Sequence, residues 1–218
     1  MELAEQLPPG DENLIVALGR LGNTYAMRQD YTDAEAMFHR QMVIIDKTLG
    51  PGSPRMTDPL FSLGSLASGQ KNYVAGERYF SRALEINENN YGEKSSRTAE
   101  SLRTLAGLYE VQGRYEKAEP YLLRAVKANE TTGDDGLILI PLWGLCDAYD
   151  HLGIPAKSQL CWHRATDLME KQVGENSPDL TASITAEVKA LRQLGRNEEA
   201  VQLERRLAKL RPAAVQTN

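Results

Sequence analysis

Apolar side chains along this sequence recur at the spacing of an amphipathic helix. Leu18, Leu21 and Tyr25 stand at positions i, i+3 and i+7, which lie on one face of a helix. The same positions return as Leu60, Leu63 and Ala67, then Leu102, Leu105 and Tyr109, then Leu142, Leu145 and Tyr149. The pattern predicts a helix that is repeated at a regular interval.

A second helix with a different pattern follows each of these. It carries a small residue, then a bulky residue four positions on, and usually another small one three positions later. The sets are Ala34, Phe38 and Gln41; Gly76, Phe80 and Ala83; Ala118, Leu122 and Ala125; and Ser158, Trp162 and Ala165. Small residues let two helices approach, and the bulky one fills the space between neighbours. We therefore expect Trp162 in the core.

Turn and capping residues support this division into helix pairs. Residues that tolerate a positive φ stand between the two helices of each pair: Asp30, Asn72, Gly113, Gly153 and Gly195. Thr32 and Glu35 have capping-box spacing at the start of a second helix.

Prolines mark the first helices. Ser53 and Ser177 each precede a proline, as expected of an N-cap before a first-turn proline. Pro59 and Pro141 share a repeat position slightly further in, where we expect the helix to start late or to kink.

Five segments align without gaps, which defines the domain organisation. They begin at Leu21, Leu63, Leu105, Leu145 and Glu187, at intervals of 42, 42, 40 and 42 residues. We predict repeats over 11–52, 53–94, 95–135, 136–175 and 176–211, the last with a C-terminal cap, and tails over 1–10 and 212–218. The predicted fold is all-α, an α-solenoid of about five antiparallel helix pairs in a right-handed superhelical array.

The stretch GRYEKAEPYLLRAV and the recurring Leu–Gly or Leu–Ala pair followed by Tyr resemble tetratricopeptide repeats. The interval of 42 and linkers such as LGPGSPRMTD are similar to the longer variety found in kinesin light chains and many bacterial proteins. The resemblance covers nearly the whole chain. It implies a concave face, lined by the first helices, on which peptides lie. RNA-reading helical repeats are the nearest rival, and the interval and the acidic charge argue against them.

The two ends of the sequence suggest further expectations. EQLPPGDENL echoes the linker one repeat later, so residues 1–7 are expected to end a preceding helix and the chain to be part of a longer array. Glu187 and Glu204 occupy positions that are apolar in the other repeats. They are expected to face water on a polar terminal repeat, and the alternative is a degenerate repeat in a continuing chain.

Composition narrows the function classes. The net charge of −5 does not indicate a nucleic-acid-binding face, and no apolar run is long enough for a membrane span. No secretion signal is recognisable, so the cytoplasm is the default location. Cys146 and Cys161 are expected to be small buried hydrophobes that are not paired with each other, and a redox pair is the alternative. The three histidines lack metal-site spacing. We expect no enzyme activity, cofactor or metal site.

The predicted binding groove comes from the face of the first helices that packing does not use. Its candidate residues are Asn23, Met27, Asp58, Phe61, Ser65, Glu100, Arg103, Glu110, Trp143, Asp147, Asp150, Lys189 and Arg192. Phe61 and Trp143 are the candidate anchors, since large exposed aromatic residues dominate recognition. The alternative is that they pack against a neighbouring linker.

Charge along this face predicts the character of the ligand. The middle is acidic, at Asp58, Glu100, Glu110, Asp147 and Asp150, and Lys189 and Arg192 make the last repeat basic. A peptide with apolar anchors and some basic character would fit this gradient. The paired asparagines that grip cargo in kinesin light chains are not reproduced here. Of the set that clamps a C-terminal carboxylate in chaperone-binding relatives, only Asn23 matches.

The predicted function is a protein–protein interaction scaffold that binds a protein or peptide segment, without nucleic acid or membrane. Two alternatives are a regulatory segment of a larger enzyme or signalling ATPase and a self-assembly module. We expect a monomer, with end-to-end or dimeric association as the alternative.

Overall fold

A computed structural model describes residues 12–210 of the 218-residue chain, and this part contains ten α-helices. They are α1 (Glu12–Met27), α2 (Tyr31–Leu49), α3 (Thr57–Gly69), α4 (Tyr73–Tyr91), α5 (Ser96–Glu110), α6 (Tyr115–Glu130), α7 (Asp135–His151), α8 (Pro155–Val173), α9 (Thr181–Gln193) and α10 (Asn197–Leu210). Short 3-10 turns, Pro54–Met56 and Pro178–Leu180, precede α3 and α9. The prediction of an all-α fold built from consecutive helix pairs is confirmed. The predicted tails over 1–10 and 212–218 lie outside the described residues.

The chain divides into two compact units between Leu108 and Tyr109, within α5. The first unit contains the pairs α1/α2 and α3/α4, and the second contains α7/α8 and α9/α10. Each unit is described by itself below.

Every pair turns through one residue with a positive φ at the same repeat position. The residues are Gln29, Lys71, Gly113, Gly153 and Gly195, with φ from 61° to 72°. The three glycines at this position were predicted, but the prediction of Asp30 and Asn72 as the turn residues of the first two pairs is wrong. They lie one residue later, at the N-cap positions of the second helices, with φ −81° and −82°. Only Asn72 caps its helix with its side chain, which accepts from the Ala75 N–H. The repeat register decides which residue is left-handed, even where it is not the residue best suited to that conformation.

The helix caps are partly as expected. Ser53 and Ser177 each accept a backbone N–H bond at the start of a 3-10 turn, from Arg55 and Asp179 respectively, so these two caps are confirmed. The capping box at Thr32 is wrong, because α2 already begins at Tyr31 and its N-cap residue makes no side-chain cap bond.

The two prolines that share a repeat position behave differently. Pro59 lies in the first turn of α3, where its missing N–H would have no intrahelical partner, so that helix starts late. Pro141 lies inside α7, which begins at Asp135 and continues past it.

Each helix pair of the first unit contains a close glycine–phenylalanine contact. Gly22 on α1 faces Phe38 on α2, and Gly64 on α3 faces Phe80 on α4. A Cβ atom built on Gly22 or Gly64 would come within 2.6 Å and 2.4 Å of the respective ring. Both rings are buried. The glycines therefore let each pair close around a large aromatic ring.

The second unit uses different side chains at these positions. Trp162 on α8 is only half-buried, so the expectation of a fully buried Trp162 is wrong. Its Nε1–H donates to Asp150 Oδ2 at 3.0 Å, and Ser158 Oγ donates to Asp150 Oδ1 at 2.5 Å. An indole that is hydrogen-bonded at its polar end does not fill the core in the way that a phenylalanine ring does.

Cys146 and Cys161 are both buried, as expected, but they are joined in a disulfide. The expectation that they are unpaired is therefore wrong. The antiparallel pair α7/α8 places two residues 15 apart in sequence side by side, with Cα atoms 5.3 Å apart.

Glu187, at the start of the fifth segment, is buried with 4% of its surface exposed, so the expectation that it faces water is wrong. Its Oε1 accepts from Gln159 Nε2 at 2.9 Å and lies 3.1 Å from His163 Nδ1. Arg196 donates to the amide oxygen of Gln159 at 3.1 Å. Glu204 is exposed, as expected, and pairs with Arg192. Polar partners on α8 compensate Glu187 at a position that is leucine elsewhere.

Tyr149 on α7 is buried beside a carboxylate, which supports a pH prediction. Its hydroxyl donates to Glu119, which Lys157 Nζ also contacts at 2.7 Å. Burial, and then the Glu119 charge, raise the pKa of Tyr149 from 10.0 to about 12.

A phenol whose folded-state pKa is raised contributes stability that is complete below its unfolded pKa. That contribution is lost as pH rises from 10.0 to about 12, because the unfolded chain releases the proton first. Tyr149→Phe should therefore flatten the alkaline loss of stability in urea unfolding measured across this range, whereas Tyr31→Phe, at an exposed tyrosine, should not. An identical alkaline loss in all three proteins would contradict this.

Candidate functional site

The first unit contains two adjoining cavities along the first helices α1 and α3. One, of about 400 Å³, is lined by Asn23, Ala26, Tyr31, Phe38, Phe61, Ser62, Ser65, Leu66 and Gly69. The other, of about 380 Å³, is lined by Ile15, Val16, Gly19, Arg20, Asn23, Gln41, Arg55, Asp58, Phe61 and Ser62. Asn23, Phe61 and Ser62 belong to both, so the two cavities form one groove, which we call the α1/α3 groove.

Phe61 is the shared wall of this groove. One side of the ring packs against the core, with its centroid 6.1 Å from that of Phe80. The other side lines both cavities, and the side chain is half-buried. Phe61 therefore packs against Phe80 of its own helix pair and also lines the groove, and its role as an anchor stays a prediction.

The two ends of the α1/α3 groove differ in polarity. The end near Ala26, Leu66 and Tyr31 is mainly apolar, with Asn23 and Ser65 as polar groups. The other end carries charge, where Arg20 and Asp58 are exposed and Arg55 is paired with Glu12. Of the predicted residues, Asn23, Asp58, Phe61 and Ser65 are brought together here.

Three further predicted residues of α1 and α5 are exposed but are not part of this groove lining. Met27 ends α1, with 87% of its surface exposed, directly after the lining residue Ala26. Glu100 and Arg103 lie on the exposed side of α5.

Helix α7 carries a row of exposed apolar residues in the second unit. Leu137, Ile140 and Trp143 follow one another three residues apart on the same side, and Trp143 is 37% exposed. Asp147 continues this side one turn later, with its carboxylate 3.4 Å from His151 Nδ1. Trp143 and Asp147 therefore lie on one helix face, as the spacing predicts.

The other predicted residues of the second unit differ in their burial and in their hydrogen-bond partners within the protein. Asp150 accepts from Trp162 and Ser158, and Arg192 is bound to Glu204 and Asn197, with nitrogen–oxygen distances of 2.9–3.0 Å for the closest contacts. Glu110 is half-buried, and its Oε1 would lie 3.1 Å from a Cβ on Gly144. Lys189 on α9 is exposed.

The groove also contains residues that the sequence analysis did not select. Arg20 and Ser62 directly precede the repeated leucines, while Tyr31 and Gln41 come from the second helix. The predicted candidates did not include the residue directly before each leucine or any residue of the second helices. A wider stripe that included the preceding residue would have found Arg20 and Ser62.

Two further observations concern other kinds of site. Among residues 12–210, no group of three His, Cys, Asp or Glu side chains is placed to hold a metal ion. No helix in the same range is both long and apolar enough to cross a membrane.

Consecutive antiparallel helix pairs with a common turn position define an α-helical repeat protein. Two family models, each described as tetratricopeptide repeat, match residues 14–55 and 58–131, together more than half of the chain. The chain belongs to the tetratricopeptide repeat family, and its structure is similar to kinesin-light-chain-like members, as predicted. No curated protein sequence matches it at a significant level.

Solved structures with the same fold have low sequence identity to this chain. A putative kinesin light chain from Podosopora anserina with nearly identical TPR-like repeats has a TM-score of 0.74 at 17% identity, over 94% of this chain and 97% of that one. BtubC (BKLC) from P. vanneervenii has a TM-score of 0.77 at 16% identity, over 100% and 91%. A Rap protein in complex with competence and sporulation factor has a TM-score of 0.56 at 16% identity, over 87% of this chain and 51% of that one.

Proposed function

We propose that this protein is a non-catalytic interaction scaffold that holds an extended peptide segment in the α1/α3 groove. The observation that carries the proposal is the pair of adjoining cavities, which share Asn23, Phe61 and Ser62. A cavity of about 400 Å³ is large enough for an apolar side chain and part of its backbone.

The two ends of the groove suggest how a segment would be held. An apolar side chain would pack on the free side of Phe61, beside Ala26 and Leu66. Asn23, Ser62 and Ser65 carry donors and acceptors along the same wall, suited to backbone amides of an extended chain. Arg20 and Asp58 would favour polar or charged residues at the other end, with either sign accommodated.

Helix α7 offers a second contact surface in its own unit. Ile140 and Trp143 are exposed apolar residues next to the exposed carboxylate of Asp147. We propose that an apolar side chain with a neighbouring basic group binds here, as the sequence suggested. Asp150 and Arg192 are left out of this proposal because internal partners occupy them.

A fold neighbour lends support. The Rap protein was solved in complex with competence and sporulation factor, so one protein with this repeat architecture holds a partner molecule. This chain spans about half the length of that protein. The groove residues above, rather than this likeness, specify what the present chain would bind.

A phage-displayed library of random twelve-residue peptides, selected against the purified protein, tests the proposal. We expect enriched peptides whose affinity, measured by fluorescence anisotropy, falls at least tenfold in Phe61→Ala. Ser65→Arg should have a similar effect, because an exposed side chain of that size would fill the cavity mouth without disturbing the core.

Val74→Asp is the matched control, since Val74 is 75% exposed on the second helix α4 and does not line the α1/α3 groove. Peptides that bind Ser65→Arg as tightly as the native protein would refute the groove. So would the failure of repeated selections to enrich any peptide.

A further inference from the structure

The pair α7/α8 differs from the other pairs in having a covalent bond between its two helices. Cys146 on α7 has no exposed surface, and Cys161 on α8 has 7% exposed. Their Cα atoms are 5.3 Å apart, within the range that a disulfide bridges without backbone movement. Cys161 Sγ also lies 3.5 Å from the backbone oxygen of Leu142.

The same repeat positions show that a helix pair of this kind closes without a crosslink. The equivalents of Cys146 are Gly22, Gly64, Ala106 and Val188, and those of Cys161 are Met37, Tyr79, Tyr121 and Leu203. Those pairs have no cysteine at either position and therefore close without a disulfide. Reduced cysteines are themselves small and apolar, so the pair α7/α8 can also fold in the dithiol state.

We propose that Cys146 and Cys161 form a redox-controlled lock on the pair α7/α8, closed by thiol–disulfide exchange with a low-molecular-weight disulfide. One cysteine thiolate attacks the low-molecular-weight disulfide and forms a mixed disulfide, releasing one small thiol. The second cysteine then attacks the mixed disulfide, forming the Cys146–Cys161 bond and releasing the second thiol. Two electrons pass from the cysteine pair to the low-molecular-weight disulfide, and the protons of the two cysteines end on the two released thiols.

Burial determines when the lock can change state. Both cysteines are buried in the closed pair, so a reagent gains full access to the bond when α7 and α8 separate locally. Once formed, the bond restricts the open state to a loop of 15 residues and makes opening rarer. The disulfide therefore slows its own reduction, because it makes local opening rarer. The reduced pair opens more often, so its cysteines can still react with a low-molecular-weight disulfide.

The disulfide joins two helices, one of which carries exposed residues of a proposed binding surface. Helix α7 carries Ile140 and Trp143 on its exposed side, and Asp150 at its end binds Trp162 and Ser158 of α8. A tighter pair keeps both sets of side chains in one arrangement. The lock itself does not depend on which ligand these surfaces bind.

Hydrogen exchange followed by mass spectrometry tests the lock. The full chain is oxidised with excess oxidised glutathione, and a second sample is reduced in mild urea and returned to buffer. The loop-entropy estimate predicts that amides of α7 and α8 exchange roughly 100-fold faster in the reduced protein. Amides of α1–α4 serve as the internal control and should exchange at unchanged rates.

A Cys146→Ala/Cys161→Ala variant separates the bond from the reagents. It should exchange like the reduced protein and be insensitive to glutathione. Two free thiols remaining after treatment with excess oxidised glutathione, measured by intact mass, would overturn the proposal. Equal exchange of α7 and α8 in the oxidised and reduced samples would also overturn it.

Discussion

Gly64→Val is expected to lower the free energy of unfolding by about 3 kcal/mol, at the upper end of the usual cost of overpacking a core. A Cβ at this position would lie 2.4 Å from the buried ring of Phe80, and valine adds two further methyl groups. The ring is only 3% exposed, so it has no free side toward which to move. Urea unfolding followed by far-UV circular dichroism measures the loss.

The chain contains its own control for this prediction. Gly69 is also on α3, and a Cβ added there would meet no atom within 4 Å, so Gly69→Val should cost far less. The third repeat shows the compensated combination, because Ala106 and Leu122 occupy the positions of Gly64 and Phe80.

A double-mutant cycle uses that combination. Gly64→Ala and Phe80→Leu should each destabilise the protein, and together they should cost less than their sum, with a coupling of about 1–2 kcal/mol. Strict additivity of the two changes would show that the glycine is not there to accommodate the ring.

Glu187→Lys is expected to lower the free energy of unfolding by about 3–5 kcal/mol. The substitution buries a positive charge where Gln159 Nε2 and His163 now meet a carboxylate, and it places that charge near Arg196. The expected loss therefore combines desolvation with repulsion. Urea unfolding gives its size, and hydrogen exchange should locate it in α8, α9 and α10.

Two variants control for the charge and the position. Glu187→Gln preserves the shape and an oxygen acceptor for Gln159, and should cost clearly less than the lysine. Thr185→Lys, at an exposed position of the same helix, should be nearly neutral. If Glu187→Lys is as stable as Thr185→Lys, the carboxylate is not an essential partner at this junction.

The helix pairs could be predicted because their pattern is local and repeated. Alternating small and bulky positions in four of the five aligned segments determine which faces pack, whichever residue stands at one site. The prediction placed the turn residue one position too late in two repeats, because Asp30 and Asn72 are residue types that tolerate a positive φ. The glycines at Gly113, Gly153 and Gly195 mark the true position, so the alignment was better evidence than residue preference.

Long-range polar contacts account for most of what the sequence did not show. Glu187 looked like a solvent-facing cap because a carboxylate is seldom buried, but its partners Gln159 and His163 lie 28 and 24 positions earlier in the chain. The disulfide was readable in principle. Cys146 and Cys161 stand at nearly equal distances on either side of Gly153, so an antiparallel pair places them opposite one another.

The sequence predicted several first-helix residues of the candidate groove but not the residues that the second helix contributes. Asn23, Phe61 and Ser65 were selected from their helical positions, and they line one groove. Its other walls come from Tyr31 and Gln41, which lie on the second helix and depend on how the pair closes. Asp150 was selected for its charge, but Trp162 binds it because the indole does not enter the core.

The common left-handed turn has a consequence for how this chain tolerates changes of length. The repeated first-helix position and the first small residue of the second helix are separated by the same number of residues in all five pairs, as in Leu21 and Ala34. The one departure from the interval of 42, a deletion of two residues, falls between pairs, before Leu145. An insertion inside a helix would rotate the residues after it by about 100° per residue around the helix axis and so divide its packing face. An insertion in a turn would displace the left-handed residue at which the chain reverses. Insertions that carry new loops or tags therefore belong in the linkers between pairs.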